Sequence, residues 1–130
     1  MNIIFEKSKD NFNAGRLLKK EGFYASSIHC FYYSTVQLMI NILINYDNMT
    51  EKDIEQKSIE SKRGFHNWII NNIYNKFTNE KDQIKFNNEI HKLKNKRVIA
   101  DYKNKEITSE DSISSESTSE KVIDLLLKLT

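Results

Sequence analysis

A chain of 130 residues with a formal net charge of +2 has about one domain's length, enough to bury a single hydrophobic core. Proline is absent and glycine occurs only three times, so little in the composition interrupts long helices. The single cysteine, Cys30, excludes an internal disulfide and a cysteine-based zinc site.

Residues Asn2 to Glu21 predict a first helix, with Ile4, Phe5, Ser8, Phe12, Gly15 and Leu18 on or near one face. This start lacks the basic residues and continuous apolar stretch of a signal peptide, and no apolar run approaches the roughly 20 residues that a bilayer requires. The expectation is a cytoplasmic protein with no membrane partner, in which the sequon Asn48-Met49-Thr50 goes unused. Gly22 predicts a C-cap, and two helices joined so tightly pack antiparallel.

The second helix, Phe23 to Tyr46, is the strongest element. Tyr24, Ile28, Phe31, Thr35, Leu38 and Ile42 recur at helical spacing, and Phe23, Tyr33, Val36, Ile40, Leu43 and Ile44 make much of the other side apolar. A helix apolar nearly all round is central to the fold, and its second side predicts a contribution to a dimer interface. The polar stretch Asp47 to Ser61 predicts a long loop with room for one helical turn.

A third, shorter helix from Arg63 to Phe77 carries His66, Trp68, Ile69, Ile70, Ile73 and Tyr74. A fourth spans Asn79 to Tyr102, capped by Thr78 or Asn79, with Glu80 and Asp82 in its first turn. Its apolar positions Phe86, Ile90 and Leu93 lead at the same spacing to Arg97 and Ala100, which places Arg97 on the inward face. Thr108, followed three residues on by Asp111, predicts the start of a fifth helix. Ser112 to Ser119 then holds five serines and one threonine, a weak helical signal, before Val122 to Leu129 turns apolar and docks back. The whole reads as one all-α domain over residues 1–130, a compact helical bundle.

Charge is unevenly placed. From Ile107 onward two lysines face five acidic residues, which leaves the rest of the chain at about +5. Between Lys92 and Lys105 lie Lys92, Lys94, Lys96, Arg97, Lys103 and Lys105, opposed only by Asp101. Such a stripe attracts phosphates, with Lys94, Lys96 and Lys103 as candidate contacts, or else is a solvated helix face.

An arginine on a core-facing register is costly unless it is paired or lines a cleft. Asp101, four residues on, allows an internal ion pair that fixes helix packing. The other reading is a polar pocket where Arg97 meets a phosphate and Tyr102 supplies a hydroxyl or a stacking ring. His29, His66 and His91 lack the spacing of a metal cluster, and no metal or cofactor is expected. His66 packs structurally or faces the Arg97 pocket, while His29 and His91 read as surface or packing residues. Tyr32 and Tyr33 read as core or interface aromatics whose hydroxyls find partners.

Taken in order, Gly22-Phe23-Tyr24, Ser27-Ile28, Phe31-Tyr32-Tyr33-Ser34, His66 and Arg97-x-x-Ala100-Asp101-Tyr102 resemble the small stand-alone HEPN domains. The resemblance runs from about Phe5 to Leu129. It implies an up-and-down bundle of four long helices plus a shorter fifth, and a homodimer with the motif arginine facing a cleft near the subunit interface. It also implies an RNA-directed activity, often that of a metal-independent ribonuclease. Such domains serve as toxin components of toxin–antitoxin pairs, beside a nucleotidyltransferase antitoxin, or in phage defence.

This sequence departs from the family's pattern where it matters most. The ribonuclease motif is arginine, four to six residues, then histidine, and here Tyr102 stands in the histidine's place. Ser27 and Ser34 replace two motif alanines, and Ser112–Ser119 is more polar than the family's last helix. Three functions follow. In the first, Arg97 holds the scissile phosphate of an RNA, Asp101 orients it, and Tyr102 with His66 transfers protons. In the second, the same pocket binds a nucleotide or a protein partner without catalysis. In the third, Arg97 and Asp101 are only an internal clamp.

Overall fold

The structure is a computed structural model that describes residues 2–130. Six helices follow one another: α1 (Ile3–Lys20), α2 (Tyr24–Asn45), α3 (Glu51–Glu60), α4 (Gly64–Tyr74), α5 (Glu80–Tyr102) and α6 (Ser109–Leu127). No strand occurs among the described residues. The four long helices α1, α2, α5 and α6 run up, down, up and down, and α3 and α4 fill the connection between α2 and α5. The all-α bundle expected from the sequence is the fold.

Helix α1 ends because Gly22 turns left-handed, at φ +85. Its amide donates to the Lys19 carbonyl at 3.1 Å, and the Phe23 amide reaches back to the Leu18 carbonyl at 2.8 Å. These are the paired bonds of a Schellman closure, and glycine adopts the required φ at no steric cost. The chain therefore reverses at once, and α1 lies antiparallel on α2.

Small residues line that contact. The Ser8 hydroxyl donates to the Ser34 carbonyl at 2.6 Å, and Asn11 donates to the Gln37 side chain at 3.1 Å. A Cβ built on Gly15 would stand 2.6 Å from the Phe31 ring. Phe31 in turn meets Phe12 with ring centroids 5.5 Å apart.

Helix α2 is central, as its sequence predicts. Ile28, Phe31, Tyr32, Leu38, Met39, Ile42 and Leu43 are buried, and α1, α4, α5 and α6 all pack against it. Much of the second apolar side, expected to serve a dimer, is covered within the chain itself: Tyr33, Ile40 and Ile44 pack on the core. The sequence-based expectation that no apolar run suffices for a bilayer also needs amending. By length and composition α2 would pass as a span, and 67% of that stretch is buried inside the bundle.

Two segments differ from expectation. Asp47–Ser61 is not a long loop, because Glu51–Glu60 forms α3. Thr50 accepts from the Asp53 amide at 3.0 Å, and Asp53 accepts from the Thr50 amide at 2.9 Å. This reciprocal capping box, together with the buried Ile54, suffices for ten residues of helix. Ser112–Ser119 is helical as well, and Ser112, Ser115, Glu116, Thr118 and Ser119 are buried. Small side chains let α6 approach α2, where the Ser27 and Ser112 hydroxyls lie 2.6 Å apart. Serine hydroxyls also satisfy themselves locally, as Ser119 does on the Glu116 carbonyl at 2.7 Å. Glu116 is held by Lys19 and by Arg16 of α1, the latter at 3.2 Å.

The expected caps of the other helices are present. Asn79 accepts from the Lys81 amide at 2.8 Å at the start of α5. Thr108 and Asp111 form a second capping box on α6, and Lys96 of α5 donates to Asp111 at 2.7 Å.

Two outcomes follow from this packing. Gly15→Ala pushes a methyl into the Phe31 ring, and thermal or denaturant unfolding should show a loss of about 1–3 kcal/mol. Lys96 and the Thr108 amide hold the Asp111 carboxyl down at about 2, against an ordinary 3.8. Its contribution to stability is thus full above about pH 4 and disappears as the pH falls towards 2. The gap in melting temperature between the natural chain and Asp111→Ala should close over that window.

Candidate functional site

The site is built where the first half of α2, the start of α4 and the last turns of α5 meet. Helical spacing carries Phe86, Ile90 and Leu93 inward, and the same row delivers Arg97, which is only 5% exposed. Its guanidinium carbon lies 5.0 Å from the ring centroid of Tyr32, 5.6 Å from that of Tyr33 and 5.7 Å from that of Tyr102. Three aromatic faces thus surround one cation.

Counter-charge is scarce. Arg97 Nη1 lies 3.7 Å from Asp101 Oδ2, a Coulomb contact longer than a hydrogen bond. The same oxygen makes its short contact, 2.8 Å, with His29 Nδ1. Arg97 Nε is buried and has no hydrogen-bond partner among the described residues. A buried guanidinium with a shared carboxylate and an unused donor is incompletely compensated.

His66 does reach this cluster. Its Nδ1 lies 2.8 Å from the Tyr32 hydroxyl, its ring stacks on Tyr32 with centroids 5.5 Å apart, and it meets Tyr33 edge-on at 5.7 Å. Burial pushes the Tyr32 phenol well above its ordinary value, so the hydroxyl keeps its proton. It has no acceptor among the described residues other than His66, so it donates to Nδ1 and leaves the imidazole proton on Nε2. Burial lowers the His66 pKa, and the charges of Arg97 and Lys94 lower it further.

The three lysines separate. Lys94 borders the cluster: its ammonium donates to Asn67 at 2.7 Å, and burial and Arg97 both lower its pKa. Lys96 points to α6 and is engaged by Asp111. Lys103 is exposed at the C-cap of α5, beside the rim residue Tyr102, itself 72% exposed. Of the residues picked out by sequence, Arg97, Asp101, Tyr102, His66 and Lys94 therefore come together, while Lys96 does not join them.

Sequence reasoning passed over His29, Tyr32 and Tyr33 as site residues. Nothing local joins His29 to Asp101, 72 residues away, and their contact exists only because α2 and α5 run antiparallel side by side. Among the described residues no group of three or more His, Cys, Asp and Glu side chains is arranged to hold a metal.

No family model, curated protein or solved structure matches this chain. The site is therefore read from its own geometry.

The coupling between Arg97 and His66 can be measured. Since the folded state binds the His66 proton more weakly than the unfolded chain, its contribution to stability is full above about pH 6.5 and is lost as the pH falls. In a magnetic-resonance titration the His66 midpoint should lie below 6.5, and Arg97→Ala should raise it.

Proposed function

We propose that this chain is an RNA-directed module of the HEPN type, in which Arg97 receives a phosphate of the RNA backbone and the surrounding polar groups serve strand cleavage. One observation carries the reading: a cation as buried as Arg97 has a spare donor, and the one carboxylate paired with it among the described residues is shared with His29. An entering phosphate completes both its charge and its hydrogen bonding, and a guanidinium's planar fork suits phosphate oxygens. Lys94 adds a second positive charge at the same place. Tyr102, exposed at the rim over Arg97, offers a face for a base to stack on.

A second reading, binding of a nucleotide or a protein partner without cleavage, is favoured by Tyr102 standing where the family's nuclease motif has histidine. A phenol exchanges its proton far less readily than an imidazole near neutrality, which makes it a poor proton shuttle. A place in a toxin–antitoxin pair or in phage defence belongs to the same proposal and rests on the resemblance alone.

Binding is tested apart from cleavage with a labelled single-stranded RNA carrying 2′-O-methyl groups, which cannot be cut. Fluorescence anisotropy should show salt-dependent binding that Arg97→Ala weakens about tenfold or more, the loss expected of a charge-assisted contact. Arg97→Lys should restore only part of it, because an ammonium lacks the fork. Equal binding by the natural chain and by an Arg97→Ala variant that keeps its helical circular dichroism would remove Arg97 from the interface. Nucleotide binding by calorimetry, with no RNA binding, selects the second reading.

A further inference from the structure

We infer that His29, on a helix outside the Arg97 motif, is the proton acceptor of this site and draws the proton from the ribose 2′-hydroxyl next to the phosphate held by Arg97. The inference rests on the RNA-directed reading above and adds to it the group that performs the chemistry.

The two histidines of the cluster are held in opposite states. A carboxylate only accepts, so Asp101 Oδ2, 2.8 Å from His29 Nδ1, places the imidazole proton on Nδ1. In the neutral imidazole Nε2 is then the lone-pair nitrogen, and it has no hydrogen-bond partner among the described residues. His66 is the reverse: its Nδ1 lone pair receives the Tyr32 hydroxyl, and its Nε2 carries the proton. His66 has no free basic nitrogen, whereas His29 does. Base, orienting carboxylate and phosphate-binding arginine are also linked directly, because His29 and Arg97 contact the same oxygen of Asp101.

Access points the same way. The His29 side chain is 48% exposed. It borders a recess of about 300 Å³ lined by Ala25, Ser26, Cys30, Ala100 and Asp101. Alanines and a serine leave room there for a ribose, and the recess adjoins the Arg97 cluster through Asp101. Its other nucleophilic group is Cys30, whose thiol is pushed up by burial and by the Asp101 charge and so remains protonated. From α2 itself, Tyr33 packs on the His29 ring with centroids 4.6 Å apart and fixes its plane.

The step balances without any further reagent. His29 Nε2 takes the 2′-hydroxyl proton, the 2′ oxygen attacks the adjacent phosphorus, and the bond from phosphorus to the 5′ oxygen breaks. The leaving oxygen takes a proton from water, and His29 returns its own proton to the hydroxide so formed. The products are a 2′,3′-cyclic phosphate and a 5′-hydroxyl end.

The test uses the whole chain and two RNA probes, an unmodified single strand and its 2′-O-methyl counterpart. The natural protein should cut the unmodified strand in the presence of a chelator, leaving cyclic phosphate ends. His29→Ala should still bind the uncleavable strand in a salt-dependent way but cut the other about 10²–10⁴-fold more slowly, the usual contribution of a positioned base. Added imidazole should restore part of that rate, which a merely structural histidine would not allow. His29→Gln, closer in shape, guards against a packing effect and should be equally slow. Cleavage by both His29 variants at the natural rate overturns the role of His29 and leaves the Arg97 reading standing. Binding of the uncleavable strand with no cutting by the natural chain overturns it as well, and selects binding without catalysis. Absence of RNA binding removes both readings together.

Discussion

Burial of the Arg97 guanidinium is the constraint around which this end of the bundle is arranged. Taking such a charge out of water costs several kcal/mol after relaxation, and the cost has to be met by its neighbours. Three tyrosine rings contribute about 0.5–2 kcal/mol each as cation–π partners, and a 3.7 Å contact with Asp101 adds a Coulomb term without a hydrogen bond. Burial lowers the proton affinity of His66 and Lys94, and the same charge lowers it further. Replacing Arg97 by an apolar side chain would relieve the charge but leave the three rings without the cation they surround.

The close seam of α1, α2 and α6 is what makes that arrangement possible. Ser8, Gly15, Ser27, Ser34 and Ser112 are small enough to bring three helices together, the Ser8 hydroxyl donates to the Ser34 carbonyl, and the Ser27 and Ser112 hydroxyls bond to each other. With its back fixed against α1 and α6, the first half of α2 presents His29, Tyr32 and Tyr33 towards α5. A looser seam would shift these side chains relative to Arg97, and a 2.8 Å bond to Asp101 tolerates little such movement.

Periodicity made most of the fold legible. The apolar rows of α2 and α5, the Gly22 closure, the Asn79 cap and the Thr108–Asp111 box all stand in the sequence as residue types at fixed spacings. Arg97 was legible for the same reason, as a charge on a row of Phe86, Ile90 and Leu93. Two helices were under-read because polarity was weighed above capping and size. Thr50-x-x-Asp53 announces α3, and Ser112 to Ser119 is buried for being small, not for being apolar. Tyr32 could be read as a core or interface aromatic but not matched to His66, and His29 could not be matched to Asp101. Such pairings depend on how helices are set against one another, which no single helical row encodes.

The basic stripe of α5 also narrows once it is folded. Composition gives six positive side chains from Lys92 to Lys105, but they leave the helix in different directions. Lys96 is neutralised by Asp111 at the start of α6, in the contact that also lowers the carboxyl pKa. The acidic surplus of the C-terminal segment thus draws charge away from one side of α5. What remains positive beside the cluster is Arg97 and Lys94, with Lys103 at the helix end. The positive charge beside the cluster is therefore confined to one spot, next to His29 and His66. A long stripe of lysines would bind any polyanion in many registers. In the proposed reading, a short positive spot beside an oriented imidazole would fix one phosphate and one ribose, the selectivity that strand cleavage needs.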